Sequence, residues 1–303
     1  MNSLRLGKLF HSSVLIGLFV AAGVPPSFCA DSSKPSAVRA KQSSSGNAER
    51  VQAGKSSASV YFGRAVANEK FGRSKAAIED ATKAIELEPK NWQAYELRAK
   101  AYFKVGPYTS SIDDYRAAIA LAPNEVRLRE GLTRVFEKTG ENDLLIDEVT
   151  RANKAGVKSA FLYIKRADAY YREEMYEQAA ADLSVLLTMP VAKDPWKRWE
   201  FFKLRGRCYL RSKQYAKAEK DCTDALAIAP DDSKTYFCRA DVRERMGKYK
   251  EAVEDLTMSI KYDPGNGRAF SIRAKIYEHL GEKKKADADR KEAIRLGQNQ
   301  WGF

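Results

Sequence analysis

Histidine is nearly missing from this chain of 303 residues, which holds only His11 and His279. Most nucleophilic catalysis and most zinc sites need an imidazole as base or ligand, so serine and cysteine triads and metal hydrolysis are excluded in their usual forms. Cysteine is scarce as well: Cys29, Cys208, Cys222 and Cys238 include no Cys-x-x-Cys pair, the spacing a metal knuckle requires. No glycine-rich loop suited to cradling phosphate occurs. Glycine and proline, 18 and 10 residues, are too sparse for a loop-rich all-β protein. These absences predict a protein that is no enzyme, carries no cofactor or metal and has no small-molecule substrate.

What remains is a charged, soluble composition, 44% hydrophobic and 31% charged, far from the disordered class. Its start differs from the rest. Arg5 and Lys8 precede an uncharged apolar run from Val14 to Val24, followed by Pro25, Pro26 and small residues, the layout of a secretory signal peptide over residues 1–29. Cleavage after Cys29 places Ser27 and Cys29 at the two critical small positions; cleavage after Ala30 is the neighbouring alternative. An uncleaved membrane anchor is the competing reading, but the eleven apolar residues fall short of the roughly 20 that span a bilayer. Membrane association therefore follows only if this segment is retained. The expected location is periplasmic or secreted. Export allows disulfides, yet three mature cysteines cannot all pair, and their spacing reads as three small buried hydrophobes.

Loss of Arg5 and Lys8 lowers the net charge from +13 to +11. Such a surface attracts anionic partners; export argues against nucleic acid and leaves an acidic protein. Residues 30–57, rich in Ser, Ala, Gly and Lys and without an aromatic, read as a flexible linker.

Beyond the linker the prolines keep time. Pro89 and Pro123 are 34 residues apart, as are Pro230 and Pro264. In that frame seven units start at 58, 92, 126, 160, 199, 233 and 267, with a five-residue insertion over 194–198. The fourth position reads Tyr61, Tyr95, Arg129, Tyr163, Phe202, Tyr236, Phe270; the eighth is always small, from Ala65 to Ala274. Small residues return at the twentieth position, as Ala77, Ser111, Ala179, Ala218, Ala252 and Ala286. This pattern resembles the tetratricopeptide repeat over residues 58–298. The resemblance implies an all-α, right-handed superhelical solenoid of about seven helix-turn-helix units over 58–303, a fold that binds proteins or peptides. Arg129, Leu145 and the proline-free Ala155-Gly156-Val157 depart from the pattern, which predicts that the third unit is the least regular.

One column is unusual. The seventh position carries Arg64, Arg98, Arg166, Arg205, Arg239 and Arg273, interrupted only by Leu132, where the family most often has leucine. The twenty-third carries Asp80, Asp114, Glu148, Asp182, Asp221, Asp255 and Asp289. Both positions lie eight residues from the turn, so each hairpin is expected to hold an arginine–carboxylate bridge that fixes its register. The arginine is the partner expected to be costly to strand.

The resemblance also implies a concave groove lined by positions two, five, nine, twelve and thirteen. The thirteenth is basic throughout: Lys70, Lys104, Lys138, Arg172, Arg211, Arg245, His279. Lys100, Arg134 and Arg207 at the ninth thicken that column, and Phe62, Phe103, Tyr171 and Phe237 lie among the charges. The expected partner is an acidic or extended segment with apolar anchors. The alternative is a structural scaffold of the envelope that uses its convex face and the apolar tail Trp301-Gly302-Phe303. The family's carboxylate clamp for chaperone tails is not expected, since its asparagines are absent at the sixth and ninth positions.

Overall fold

The small residues at the eighth and twentieth positions let paired helices approach closely, and the hairpins they form stack into a solenoid. The structure is a computed structural model and describes residues 57–297. All of these fall in one structural unit. The expected leader at 1–29, the expected linker up to residue 56 and the tail Trp301-Gly302-Phe303 lie outside the described residues.

The first hairpin pairs α1 (57–70) with α2 (Ser74–Leu87), and the second α3 (Trp92–Val105) with α4 (Tyr108–Leu121). Then come α5 (Val126–Thr139) with α6 (Asn142–Lys154), and α7 (Ala160–Arg172) with α8 (Tyr176–Thr188). A 3-10 turn, Pro190–Lys193, leads into α9 (Pro195–Arg211) and α10 (Tyr215–Ile228). The last two pairs are α11 (Ser233–Arg245) with α12 (Tyr249–Tyr262), and α13 (Gly267–His279) with α14 (Lys283–Arg295). No strand occurs among the described residues. Each helix packs chiefly on its neighbours in sequence.

Ala99 and Ser111 show how close the paired helices come. Both are fully buried, and Ser111 Oγ donates to the Ala99 carbonyl at 2.8 Å across the hairpin. Each hairpin reverses through a residue at the fifteenth position with positive φ. Gly140 holds this conformation at φ 77°, while Glu174 and Lys213 adopt it at 58° and 61° without glycine's freedom. Where the third unit lacks its proline, Gly156 at φ 79° ends α6 instead. The amide of Val157 then donates to the Ala152 carbonyl at 3.0 Å, and Val157 is buried against that end.

Arginine forks recur through the stack. Arg98 donates from Nε to Asp114 Oδ2 at 2.8 Å and from Nη2 to Oδ1 at 2.7 Å. The same fork joins Arg166 to Asp182, Arg205 to Asp221, Arg239 to Asp255 and Arg273 to Asp289, at 2.7–3.0 Å. Arg64 makes it to Asp80 and holds that carboxyl below its ordinary range.

A third contact joins consecutive units. Nη1 of Arg98 donates to Thr82 Oγ1, and Arg166, Arg205, Arg239 and Arg273 reach Thr150, Ser184, Thr223 and Thr257, all at 2.9–3.1 Å. These hydroxyls occupy the twenty-fifth position of the preceding unit. Thr82, Ser184, Thr223 and Thr257 each donate in turn to the carbonyl one helical turn back, which turns a lone pair toward the guanidinium. The column reads Arg116 and Lys291 at its two exceptions: Arg116 precedes the unit whose seventh residue is Leu132, and no unit follows Lys291 among the described residues. Arg64, with no unit before it there, is 58% exposed, whereas the side chains of Arg98, Arg166, Arg205, Arg239 and Arg273 are 11–18% exposed.

The third unit keeps its ion pair by a different route. Arg129, one turn before Leu132, donates to Glu148 at 2.5 Å with both side chains buried. The longer Glu148 makes up for the displaced guanidinium. Leu132 and Leu145 instead join Val135, Phe136, Val149 and Leu162 in an apolar cluster. Tyr115 of α4 lies against Gly131, where an added methyl would meet its ring at 2.4 Å.

In these bridges the carboxylates are the more deeply buried partners, which reverses the expected cost: losing the arginine strands the worse group. We expect Arg98→Met to lower stability by about 3 kcal/mol and Thr82→Val by about 1 kcal/mol. The double change Arg98→Met/Asp114→Leu should recover most of the loss, because an apolar pair needs no counter-charge. Urea melts check this, and equal losses in the single and double variants would refute the bridge. A second pair of variants tests the packing: Gly131→Ala should cost about 1–3 kcal/mol by overpacking Tyr115. Gly63→Ala, at the same repeat position with nothing within 4 Å of the added methyl, should be neutral or gain up to about 1 kcal/mol.

Candidate functional site: the groove of the first helices

Residues expected in the groove divide by what already neutralises them. Lys100 pairs with Glu96 at 2.6 Å, Lys104 with Glu69, Arg172 with Asp168 at 3.1 Å and Arg245 with Asp241 at 2.7 Å. The first two pairs cancel charge across the opening units. Phe62 packs beside Ala84, Ile85 and Ala94, and Phe103 against the apolar cluster of the third unit, so both serve the interior more than the groove. Lys70 and Lys138 are exposed and have no ion pair among the described residues. Arg134 stacks over Phe161 at 4.5 Å. His279 lies 4.7 Å from the Tyr249 ring.

Tyr171, Arg207, Arg211 and Phe237 are brought together. They line a groove segment of about 680 Å³ between α7 and α13. The Arg207 guanidinium sits 5.3 Å from the Tyr171 ring centre and donates to its hydroxyl at 3.2 Å. Arg211 lies 5.8 Å from Tyr176. Lys203, Lys234 and Arg268 complete the lining, with Lys203 3.7 Å over Trp199 and Arg268 5.4 Å over Phe237. These three were missed among the expected residues, although they stand at positions five and two, which the groove rule already included. Alongside, a smaller cavity of about 250 Å³ is floored by Ile164, Phe201 and Leu204 and shares Tyr171 and Arg207.

Five cations therefore face one stretch of groove: Lys203, Arg207, Arg211, Lys234 and Arg268. None has an ion-pair partner among the described residues. The carboxylates nearby are engaged elsewhere, Glu200 by Lys197 at 3.0 Å and Asp241 by Arg245. Stacking on a ring fixes a guanidinium plane and leaves its edge donors free for an incoming carboxylate. The arrangement offers anion recognition beside apolar slots and supplies no nucleophile–base pair.

Two family models, both of the tetratricopeptide repeat, match residues 199–232 and, for the second, 62–126 and 239–299. Among solved structures, the C-terminal part of a TPR repeat-containing protein from Cytophaga hutchinsonii is 20% identical. It superposes with a TM-score of 0.62 over 79% of this chain and 96% of its own. MamA from Desulfovibrio magneticus RS-1 is 14% identical, with a TM-score of 0.52 over 58% of this chain and 97% of its own. At these identities the likeness is one of fold. No curated protein matches the sequence.

Cys208 and Cys238 line the two cavities from beneath, and Cys222 lies near them; all three thiols are free and buried. Burial pushes Cys208 up to about 12. Cys222, as hydrogen-bond donor to Cys238, is raised, while Cys238 is lowered by accepting that bond. Thiolate is the reactive form. We expect alkylation of the native protein by iodoacetamide to reach Cys238 first and to leave Cys208 and Cys222 intact, with all three reacting alike in urea. Peptide mapping reads the order, and fast native labelling of Cys208 would contradict this account of the groove floor.

Proposed function

The chain belongs to the tetratricopeptide repeat family, and from that premise we propose that it is a non-catalytic scaffold whose groove holds an acidic, extended segment of a partner protein. The observation that carries this reading is the cluster Lys203, Arg207, Arg211, Lys234 and Arg268, left without ion-pair partners among the described residues in a protein that neutralises so many of its other charges internally. Desolvated cations without partners are costly. Here Lys203, Arg207, Arg211 and Arg268 stay solvated on aromatic faces, held for a carboxylate to complete. The apolar floor at Ile164, Phe201 and Leu204 gives a neighbouring side chain somewhere to bury, so binding draws on both charge and apolar area. The leader-like residues 1–29 support action outside the cytoplasm, periplasmic or secreted, with cleavage near Cys29 or Ala30.

Charge reversal tests the groove. A fluorescein-labelled peptide of alternating glutamate and serine with one central leucine is titrated by anisotropy. Lys203→Glu/Arg211→Glu should weaken it at least about tenfold and flatten its dependence on salt. Lys100→Glu/Lys104→Glu, at positions whose charge Glu96 and Glu69 already cancel, should change affinity by less than about threefold. Equal effects of the two double variants would mean that net charge, not this stretch of groove, attracts the peptide.

A further inference from the structure

The insertion between the fourth and fifth units does more than lengthen a loop. Helix α9 starts at Pro195, four residues before the repeat frame places it at Trp199, and runs for 17 residues. The 3-10 turn Pro190–Lys193 swings around its start. Between this turn, the end of α8 and the end of α10 lies a notch of about 750 Å³, within the size range of ligand-binding clefts. None of its residues stands at a groove position: Phe202 is the fourth of its unit, and Ala227 and Ile228 close α10. The notch therefore opens on the edge of the solenoid, away from the concave face.

Its floor is apolar, from Leu187, Met189, Phe202 and Ile228. Its rim is cationic. Lys220 is satisfied by Asp224 at 2.7 Å, but Lys193 and Arg198, both exposed, have no carboxylate partner among the described residues. Arg198 instead lies 5.5 Å over the Phe202 ring, the same stacked, edge-free arrangement that marks the groove. Next to Pro195, Trp196 is 65% exposed, an aromatic of the kind that anchors protein interfaces.

We infer that this notch is a second docking site, and that its occupant is an acidic, amphipathic segment of a partner protein whose apolar side chains enter between α8 and α10 while its carboxylates meet Lys193 and Arg198. Charge complementarity decides the occupant: the floor admits apolar groups, and the unpaired charge on the rim is all positive. The scaffold then holds two partner segments at once, one in the groove and one at the edge, and this site does not depend on what the groove binds.

The test uses the full chain carrying Lys203→Glu/Arg211→Glu, so that the groove cations are reversed and the edge is read alone. A fluorescein-labelled helical peptide of glutamate and leucine is titrated by anisotropy beside a twin with lysine for every glutamate. The acidic peptide is expected to bind and the lysine twin not to. Adding Lys193→Glu/Arg198→Glu, or separately Thr188→Trp, which fills the notch from an exposed position, should weaken binding at least tenfold. Thermal melts that match the parent show that these surface changes leave the fold intact. Absence of acidic-peptide binding in the groove-reversed chain, or binding untouched by both notch variants, would overturn the proposal.

Discussion

One guanidinium, with three of its donors committed, organises this solenoid. Two donors lock the paired helices of a hairpin through an aspartate, and the third reaches a hydroxyl on the hairpin before. Register within a unit and register between units are thus set by the same side chain. The energy of such a bridge is small after desolvation; its geometry is what counts, because a fork accepts few arrangements where leucine packing accepts many. Close packing of alanines then becomes possible without ambiguity about which turn faces which.

Committing the seventh-position arginines inward has an electrostatic result. Although the chain is strongly basic, much of its charge is spent inside the hairpins or against glutamates such as Glu69 and Glu96. At the junction of α10, α11 and α12, Arg243 contacts both Glu219 and Asp255. Burial alone would raise Glu219, yet Lys248 and Arg243 hold it below its ordinary range. Against that background two groups of unpaired cations stand out by their clustering: Lys203, Arg207, Arg211, Lys234 and Arg268 in the groove, and Lys193 and Arg198 beside the insertion.

Much of this was legible before any coordinates. The 34-residue spacing carried the hairpins, and the matched offsets of Arg98 and Asp114 carried the bridge, because recurrence in one chain separates a rule from an accident. Arg129 was read as a defect, since its partnership with Glu148 depends on a displacement of one turn that spacing alone does not express. The hydroxyl column at Thr82, Thr150, Ser184, Thr223 and Thr257 escaped notice because threonine and serine have many reasons to sit on a helix. In the groove, Tyr171, Arg207, Arg211 and Phe237 line one segment, but the residual charge was not legible, as Glu69 meets Lys104 only once two units are stacked. The insertion was visible as a break in period, whereas the cavity it opens depends on how α9 is extended.

Stacked identical units carry a hazard, since the two end faces of a solenoid are complementary by construction and head-to-tail addition has no natural stop. Lys291 stands where a following unit's arginine would seek its hydroxyl. A second copy docking its first unit there would bring Arg64 against a like charge instead of an acceptor. The residue that looks like a lapse in the hydroxyl column thus puts a cation in place of the acceptor, which disfavours that contact.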